Sequence, residues 1–306
     1  MRILVTGGAG FIGSSLANSL SERGHEVTVI DNLFLGRKEN IAKGVSFFPL
    51  SVTDRPKLHE LFMKGGFDYV FHLAAISSAP MYVDGKAPDP ADWTDVNVTG
   101  FTNILNASLA SGVKKVIYAS TSSVYSGNPL PYTEDQKIEP KTMYEVTLYV
   151  RELIADVFRR THGMKLAGLR YFAVYGFNET HKGSYANLVS QFLWAMKKGQ
   201  EPFIYGDGTQ TRDFLFINDA LEANILAMTT PMEGVFNVGT GTSYTLNELV
   251  ALINETLGTD IQPLYKQNPL KNYVEHTLAG ISKIKKFGFT PKVSLEQGIR
   301  LLLSEA

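Results

Sequence analysis

The sequence of 306 residues contains no cysteine. Disulfide bonds, thiolate nucleophiles and cysteine-ligated zinc are therefore excluded. The formal net charge is -1 and the pI is near 6.6, so the chain lacks the basic character expected of a nucleic-acid-binding protein. No apolar run is long enough to cross a bilayer, and the six histidines show no metal-ligand spacing. We expect a cytoplasmic protein that binds small molecules, with no metal, nucleic-acid or membrane partner.

Glycines, by contrast, occur at an informative spacing after the first strand pattern. Residues 3–6 read as a core strand, not as a signal peptide, and Gly7, Gly10 and Gly13 follow directly. In a dinucleotide-binding turn, Gly7 allows the tight turn, Gly10 lets the backbone approach a phosphate, and Gly13 lets the helix pack closely on the strand. The pattern predicts that a pyrophosphate rests on the N-terminus of a helix over residues 11–23.

An acidic residue follows at the distance that such a site requires. The second strand pattern, residues 26–30, is followed by Asp31. A carboxylate about twenty residues after the glycines is placed to hydrogen-bond the adenosine ribose and to repel a 2′-phosphate. Asp31 therefore favours NAD over NADP. The alternative interpretation is that Asp31 is an ordinary turn residue at the end of a strand.

Strand and helix patterns alternate through the first half of the chain. Strand-like runs at 45–50, 69–73, 115–120 and 165–171 are separated by helix-period segments, which predicts an α/β fold with a Rossmann-like, doubly wound parallel sheet. From residue 176 the alternation loosens into short strands, at 203–205, 214–217 and 235–238, and helices at 187–198, 219–228, 245–257 and 294–303. We expect an NAD-binding domain over 1–175 and a smaller C-terminal α/β substrate lobe over most of 176–306, with some segments returning to the first domain. The prolines and glycine of residues 79–93 predict a long loop, either a lid or an irregular surface connection.

Taken together, these segments resemble the extended short-chain dehydrogenase/reductase family, in particular its NAD-dependent nucleotide-sugar epimerases and dehydratases, over essentially the whole chain. The resemblance implies a set of residues that hold NAD. They are Gly7, Gly10, Phe11, Ile12, Gly13, Asp31, Asn32, Leu33, Gly36, Arg37, Ser51, Val52, Leu73, Ala74, Ala75, Asn97, Ser120, Tyr144, Tyr171, Ala173 and Val174.

The resemblance also places catalytic residues. Thr121 matches the family hydroxyl that hydrogen-bonds the reacting sugar hydroxyl, and Tyr144 matches the catalytic tyrosine. In the family, a lysine four residues later supplies positive charge that lowers the phenol pKa, but position 148 is Leu148 here. Three interpretations remain open: Tyr144 works with other help, Leu148 is an inactivating substitution, or the site has a different chemistry or none.

The implied substrate is a nucleotide-diphosphate sugar. Arg212 lies in a segment that resembles the family's diphosphate clamp, a task suited to a guanidinium. The substrate-binding residues implied are Ser77, Thr121, Ser122, Ser123, Tyr144, Ala173, Asn187, Leu188, Arg212, Lys271 and Tyr273. A solvated Lys271 is nearly as consistent as a second phosphate contact. The segments 181–183 and 270–277 are similar to those of heptose epimerases, so the sugar stays open.

Epimerisation fits these residues better than dehydration. The family resemblance implies that a 4,6-dehydratase has an Asp-Glu pair at the positions of Ser122 and Ser123. Two hydroxyls cannot replace an acid and a base. We expect a UDP-glucose 4-epimerase-like enzyme. The alternatives are epimerisation at another carbon, net oxidation or reduction of a nucleotide sugar, and a silent binding protein. The resemblance further suggests a homodimer through the helices of 97–111 and 144–159, whose second faces are apolar.

Overall fold

The computed structural model of the chain describes residues 1–76, 89–269 and 273–304. Its centre is a parallel sheet of seven strands in the order β11-β6-β5-β4-β1-β2-β3. The expected α/β class with a doubly wound parallel sheet is therefore confirmed.

The strands and helices alternate along most of the chain. The strands are β1 (Arg2–Thr6), β2 (Glu26–Asp31), β3 (Ser46–Pro49), β4 (Tyr69–His72), β5 (Lys115–Thr121), β6 (Leu166–Tyr171), β7 (Ala173–Tyr175), β8 (Phe203–Tyr205), β9 (Thr211–Arg212), β10 (Phe214–Phe216), β11 (Gly234–Val238), β12 (Tyr244–Thr245) and β13 (Leu264–Lys266). The helices are α1 (Phe11–Glu22), α2 (Arg55–Gly65), α3 (Pro90–Thr94), α4 (Phe101–Ser111), α5 (Met143–His162), α6 (Leu188–Met196), α7 (Ile217–Thr229), α8 (Leu246–Leu257), α9 (Ser282–Lys285) and α10 (Leu295–Ser304).

The central strands are buried on both faces, and this explains their continuous apolar sequences. In β1, Ile3 and Val5 enter one hydrophobic cluster and Leu4 enters the other, because neighbouring side chains point to opposite faces of a sheet. One cluster takes up apolar residues of α1 and α7, and the other takes up those of α2 and α4. Helices thus cover the sheet on both sides.

Strand β11 departs from the sequence-based expectation. Residues 235–238 were expected in the smaller lobe, but β11 pairs in parallel with β6 and forms one edge of the main sheet. The small pairs β7–β10, β8–β13 and β9–β12 lie outside that sheet. Of the expected 79–93 loop, residues 90–93 belong to α3, and residues 77–88 lie outside the described residues.

The strand order reverses between β1 and β4, which are neighbours in the sheet although β2 and β3 separate them in sequence. In open α/β sheets the ligand crevice lies beyond the carboxyl ends of the strands at such a reversal. The turn after β1 and the segment after β4 therefore meet at the expected cofactor site.

Helix α5 is fastened to the sheet by a buried ion pair. Arg170, on β6, donates from Nε to Glu152 Oε1 at 2.8 Å and from a terminal nitrogen to Oε2 at 2.5 Å. Both side chains are only 4% exposed. Ser120 of β5 donates to the same carboxylate, and Arg170 also donates to the Tyr125 hydroxyl. The network joins one helix to two strands.

We expect Arg170→Met to destabilise the protein by about 3–5 kcal/mol, because it leaves the Glu152 carboxylate buried without its cation. Arg300→Met is the matched control, since Arg300 pairs with Glu296 on the surface of α10 and is about half exposed. Urea unfolding measures both variants. Equal losses of unfolding free energy in the two variants would show that the buried pair stabilises the protein no more than the surface pair does.

No helix within the described ranges combines the length and apolar character that a membrane span requires.

Candidate active site

The glycine-rich turn has the geometry expected of a phosphate cradle. Gly7 has φ +67°, and a Cβ at this position would lie 2.6 Å from the Ala74 backbone nitrogen, at the end of β4. A Cβ on Gly13 would overlap the Gly7 carbonyl oxygen. At Gly10, where α1 begins, no side chain caps the helix. Free backbone N–H groups at a helix N-terminus fit a pyrophosphate, so these residues suit a dinucleotide.

The segment after β2 folds against this turn. Asp31 accepts hydrogen bonds from the Ala9 nitrogen at 3.0 Å and the Leu33 nitrogen at 2.7 Å. Burial raises the pKa of Asp31, and these two backbone hydrogen bonds oppose that shift. A carboxylate has about four lone-pair sites, so Asp31 can still accept from ribose hydroxyls. Gly36 lies so close to Ala9 that a Cβ there would be 2.8 Å from the Ala9 Cβ.

Thr121 and Tyr144 meet at the same edge of the sheet. Thr121 is the last residue of β5 and lies close enough to the Tyr144 phenol for its hydroxyl to lower the pKa of that phenol. Tyr144 packs edge-on against Trp93 with ring centroids 6.3 Å apart. Burial raises the pKa of Tyr144, while the Thr121 hydrogen bond and the charge of Arg151 lower it. The net direction is upward, so only the contributions of Thr121 and Arg151 favour the phenolate that could take a proton from a bound hydroxyl group.

The position of Tyr144 follows from the way α5 begins. Thr142 caps the helix by accepting from the Glu145 nitrogen at 3.2 Å, and the Glu145 carboxylate accepts in return from the Thr142 nitrogen. This capping box fixes the first turn of α5, in which Tyr144 lies. Local sequence thereby sets the direction of the phenol.

Asn97 is fully buried beside this corner, in a π-helical segment between α3 and α4. Its amide exchanges two hydrogen bonds with the Ile76 backbone and donates to the Thr147 hydroxyl on α5. The side chain therefore joins the segment after β4 to α5. Its contact with a cofactor stays a prediction.

Leu148 is buried, with 2% of its surface exposed. Because its side chain is apolar, position 148 supplies no charge to the site. Three residues later Arg151 is fully buried, and its guanidinium reaches the ends of β4 and β5. The sequence analysis missed Arg151. Its spacing of seven residues from Tyr144, two helical turns, was the available signal.

The other predicted cofactor residues occupy varied surroundings. Ser51 is hydrogen-bonded to Thr53, and the Ser120 hydroxyl donates to Glu152. Tyr171 is buried and donates to Asn224 at 2.9 Å. Val52 and Val174 are buried, Leu73, Ala75 and Ala173 are partly exposed, and Asn32 and Arg37 are exposed. Their contacts with a cofactor also stay predictions.

The predicted diphosphate clamp is partly held in place. Arg212 donates to the carbonyls of Thr211 and Glu275 at 2.8 and 2.9 Å and lies over the Tyr273 ring, 5.0 Å from its centroid. Burial lowers the pKa of Arg212, and the remaining guanidinium donors are available for a phosphate.

Further along the chain, Asn187 caps α6 through its side-chain oxygen and donates to the Val174 carbonyl, so its amide is already engaged in the fold. Leu188 is partly exposed, and so are Ser122 and Ser123 in the turn after β5. The predicted contacts Ser77 and Lys271 lie outside the described residues.

Within the described ranges, no group of three or more acidic or histidine side chains is arranged to hold a metal ion.

Residues 3–239 match the model of the NAD dependent epimerase/dehydratase family. The chain belongs to this family. The expected resemblance and the NAD dependence are therefore confirmed, and the glycine turn, with its uncapped helix, is the feature of this chain that fits the cofactor.

Members of the epimerase/dehydratase family with solved structures resemble this chain over nearly their whole length. UDP-glucose 4-epimerase of Thermotoga maritima, solved with UDP-glucose, superposes with a TM-score of 0.93 at 37% identity, covering 99% of this chain and 98% of that one. The Thermus thermophilus UDP-glucose 4-epimerase complex with NAD gives a TM-score of 0.89 at 34% identity, covering 99% and 98%.

Other chemistry occurs among the relatives. UDP-N-acetyl-alpha-D-glucosaminuronate decarboxylase of Bacillus cytotoxicus is 34% identical over 318 residues, covering 98% of this chain and 95% of that protein. The similarity therefore establishes an NAD-dependent enzyme family acting on nucleotide sugars, and leaves the substrate to experiment.

We expect Asp31→Asn to lower the preference for NADH over NADPH by about tenfold or more, equivalent to roughly 1.4 kcal/mol, because the repulsion between a carboxylate and a 2′-phosphate is removed. Asparagine keeps an oxygen that can accept from Ala9 or Leu33. Fluorescence titration with both dinucleotides gives the ratio of dissociation constants. Asp260→Asn, at an exposed position, is the control, and an unchanged ratio in Asp31→Asn would refute the assignment.

Proposed function

We propose that this protein epimerises a nucleotide-diphosphate sugar at C4, with UDP-galactose and UDP-glucose as the substrate pair. The observation that carries the proposal is that Tyr144, in the first turn of α5 and packed on Trp93, lies near Thr121 at the sheet edge where the glycine turn opens. In that position Tyr144 would act as a proton acceptor beside the nicotinamide end of a bound dinucleotide. Two structural relatives are UDP-glucose 4-epimerases, which supports the same reaction.

In the proposed reaction Tyr144, in its phenolate form, takes the proton of the sugar C4 hydroxyl while Thr121 orients that hydroxyl. The turn of Gly7, Gly10 and Gly13 would hold NAD, which would supply the acceptor and donor for the C4 hydride. The sugar passes through a 4-keto form and rotates within the site. It then receives the hydride on its opposite face. Tyr144 then returns its proton to the C4 oxygen, which becomes the new hydroxyl, and the site is back in its starting state.

Dehydration is disfavoured by the turn after β5. Ser122 and Ser123 stand where a dehydratase would need an acid and a base, and a serine hydroxyl does not ionise near neutral pH. Arg212 and Tyr273 are the residues we propose for the substrate diphosphate. We propose that the reaction takes place in the cytoplasm, since a chain without cysteine is consistent with a reducing compartment.

We expect Tyr144→Phe to lower the rate of UDP-galactose conversion to UDP-glucose by roughly 10²–10⁴-fold, the range typical of a lost general acid-base group. Its affinity for NADH should change little, because the cradle at Gly7 is untouched. Tyr149→Phe, on the same helix, is the matched control. Coupled detection of UDP-glucose measures the rate, and a fully active Tyr144→Phe variant would contradict the proposed base.

Additional measurements on the same protein separate the alternative functions. Release of carbon dioxide from a UDP-sugar acid would identify a decarboxylase, and accumulation of free NADH would identify net oxidation. Activity only on another nucleotide sugar would keep the reaction type and change the substrate. Tight binding without turnover of any tested sugar would identify a binding protein.

We further propose a homodimer formed through α5. Its outer face carries Val146, Leu153 and Val157, which are 38%, 50% and 46% exposed, and they recur at helical spacing. The apolar residues of α4 that were expected beside them, Phe101 and Ile104 among them, are fully buried in the core and cannot join such a face.

We expect Leu153→Arg to shift the protein from dimer to monomer, because a charged side chain would be buried between the two copies. Light scattering after size-exclusion chromatography gives the mass of each form. Leu301→Arg is the control, as Leu301 is 40% exposed on α10 and lies outside the proposed interface. If the unsubstituted protein is already a monomer, the proposed homodimer is wrong.

A further inference from the structure

Arg151 is a buried cation held only by neutral groups. Its side chain is fully buried, and it donates to the carbonyl oxygens of Asn97, Ala119 and Ala74 at 3.2, 3.0 and 3.2 Å. The guanidinium also lies over the Phe101 ring, 5.3 Å from its centroid. Burial lowers the pKa of Arg151 to about 10, which leaves it charged at neutral pH.

No carboxylate in the described part of the chain forms an ion pair with Arg151. The neighbouring acid, Glu152, is already bound by Arg170 and Ser120. A buried guanidinium without a counter-charge is costly, since hydrogen bonds to carbonyls offset only part of the lost hydration. The groups whose negative form would stabilise Arg151 are two phenols, Tyr144 and Tyr118. Of these, Tyr144 borders the proposed active site.

Helix geometry explains how Arg151 acts on Tyr144. The two residues are seven positions apart, or two turns, and lie on the same face of α5. Helical side chains point back toward the N-terminus, so a long arginine extends past the turn of Leu148. Burial raises the pKa of Tyr144 overall, and the charge of Arg151 opposes that rise.

We propose that Arg151 supplies to Tyr144 the positive charge that Leu148 does not carry. Together with the Thr121 hydroxyl, the guanidinium favours the phenolate form. Because a guanidinium does not release its proton near neutral pH, Arg151 acts as a fixed charge and Tyr144 alone carries the proton. This inference rests on the proposed function only in treating Tyr144 as the base.

Tyrosine labelled with carbon-13 at Cζ allows the phenol of Tyr144 to be titrated by NMR, with Tyr144→Phe identifying its signal. We expect Arg151→Gln to shift the Tyr144 pKa upward and Arg151→Lys to leave it near its original value, because glutamine keeps donors but not charge. Arg159→Gln, on the exposed side of α5, is the matched control. An unchanged pKa in Arg151→Gln would overturn the proposal, whatever the enzyme turns over.

Activity gives a second test that leaves Arg151 in place. If Arg151 already supplies the charge, Leu148→Lys raises the epimerisation rate by less than about tenfold. If the site lacks a cation, the same variant gains on the order of 10²-fold, the size of a restored acid-base group, and the proposal fails. A Tyr144 pKa that responds to Arg151 in a protein without epimerase activity would refute the proposed function and keep this inference.

Rate-pH profiles distinguish a charge from a positioning role. With the charge removed, the rate of Arg151→Gln should fall at neutral pH and recover as the pH rises through the new phenol pKa. Adding Leu148→Lys to Arg151→Gln should restore activity at neutral pH. A loss that is constant over pH and that Leu148→Lys does not rescue would mean that Arg151 only ties the strand ends together, which also contradicts the proposal.

Discussion

The bidentate pair between Arg170 and Glu152 is the interaction on which the arrangement of the site depends. Taking two charges into the core is costly, and the cost is offset only where geometry and further hydrogen bonds are good, as they are with Ser120 and Tyr125. The pair lies two helical turns after Tyr144. It sets how α5 lies on β5 and β6, and hence where the phenol meets Thr121, which ends the same strand that carries Ser120.

Much of the fold could be predicted because local pattern and global packing agree. The strand that precedes Gly7 is buried on both faces, and its turn needs glycine for reasons visible in one short segment. Residues 234–238 were harder, because a buried edge strand of a large sheet and a short strand of a small lobe have the same apolar sequence. Only the pairing of β11 with β6, distant in sequence, decides between them.

The residues of the candidate site also differ in how far the sequence predicts them. Thr121 and Tyr144 were predicted from resemblance to the family's motifs, and the structure places both at the carboxyl end of β5. The diphosphate clamp could be placed only by resemblance, since Arg212 is held by the Glu275 carbonyl, far away in sequence. Arg151 escaped prediction because charge on a helix usually faces water. The buried position of Arg151 is held by three carbonyls from three separate segments, and no local sequence pattern reveals that arrangement.

The late arrival of β11 has a consequence for synthesis on the ribosome. All six residues of β6 are buried in the finished protein, yet its outer edge waits for a partner that begins at Gly234, after 62 intervening residues, 172–233. At about 5–20 residues per second that interval lasts roughly 3 to 12 s. During it the nascent chain presents an apolar, unpaired strand edge, the kind of surface that joins other chains and that chaperones bind.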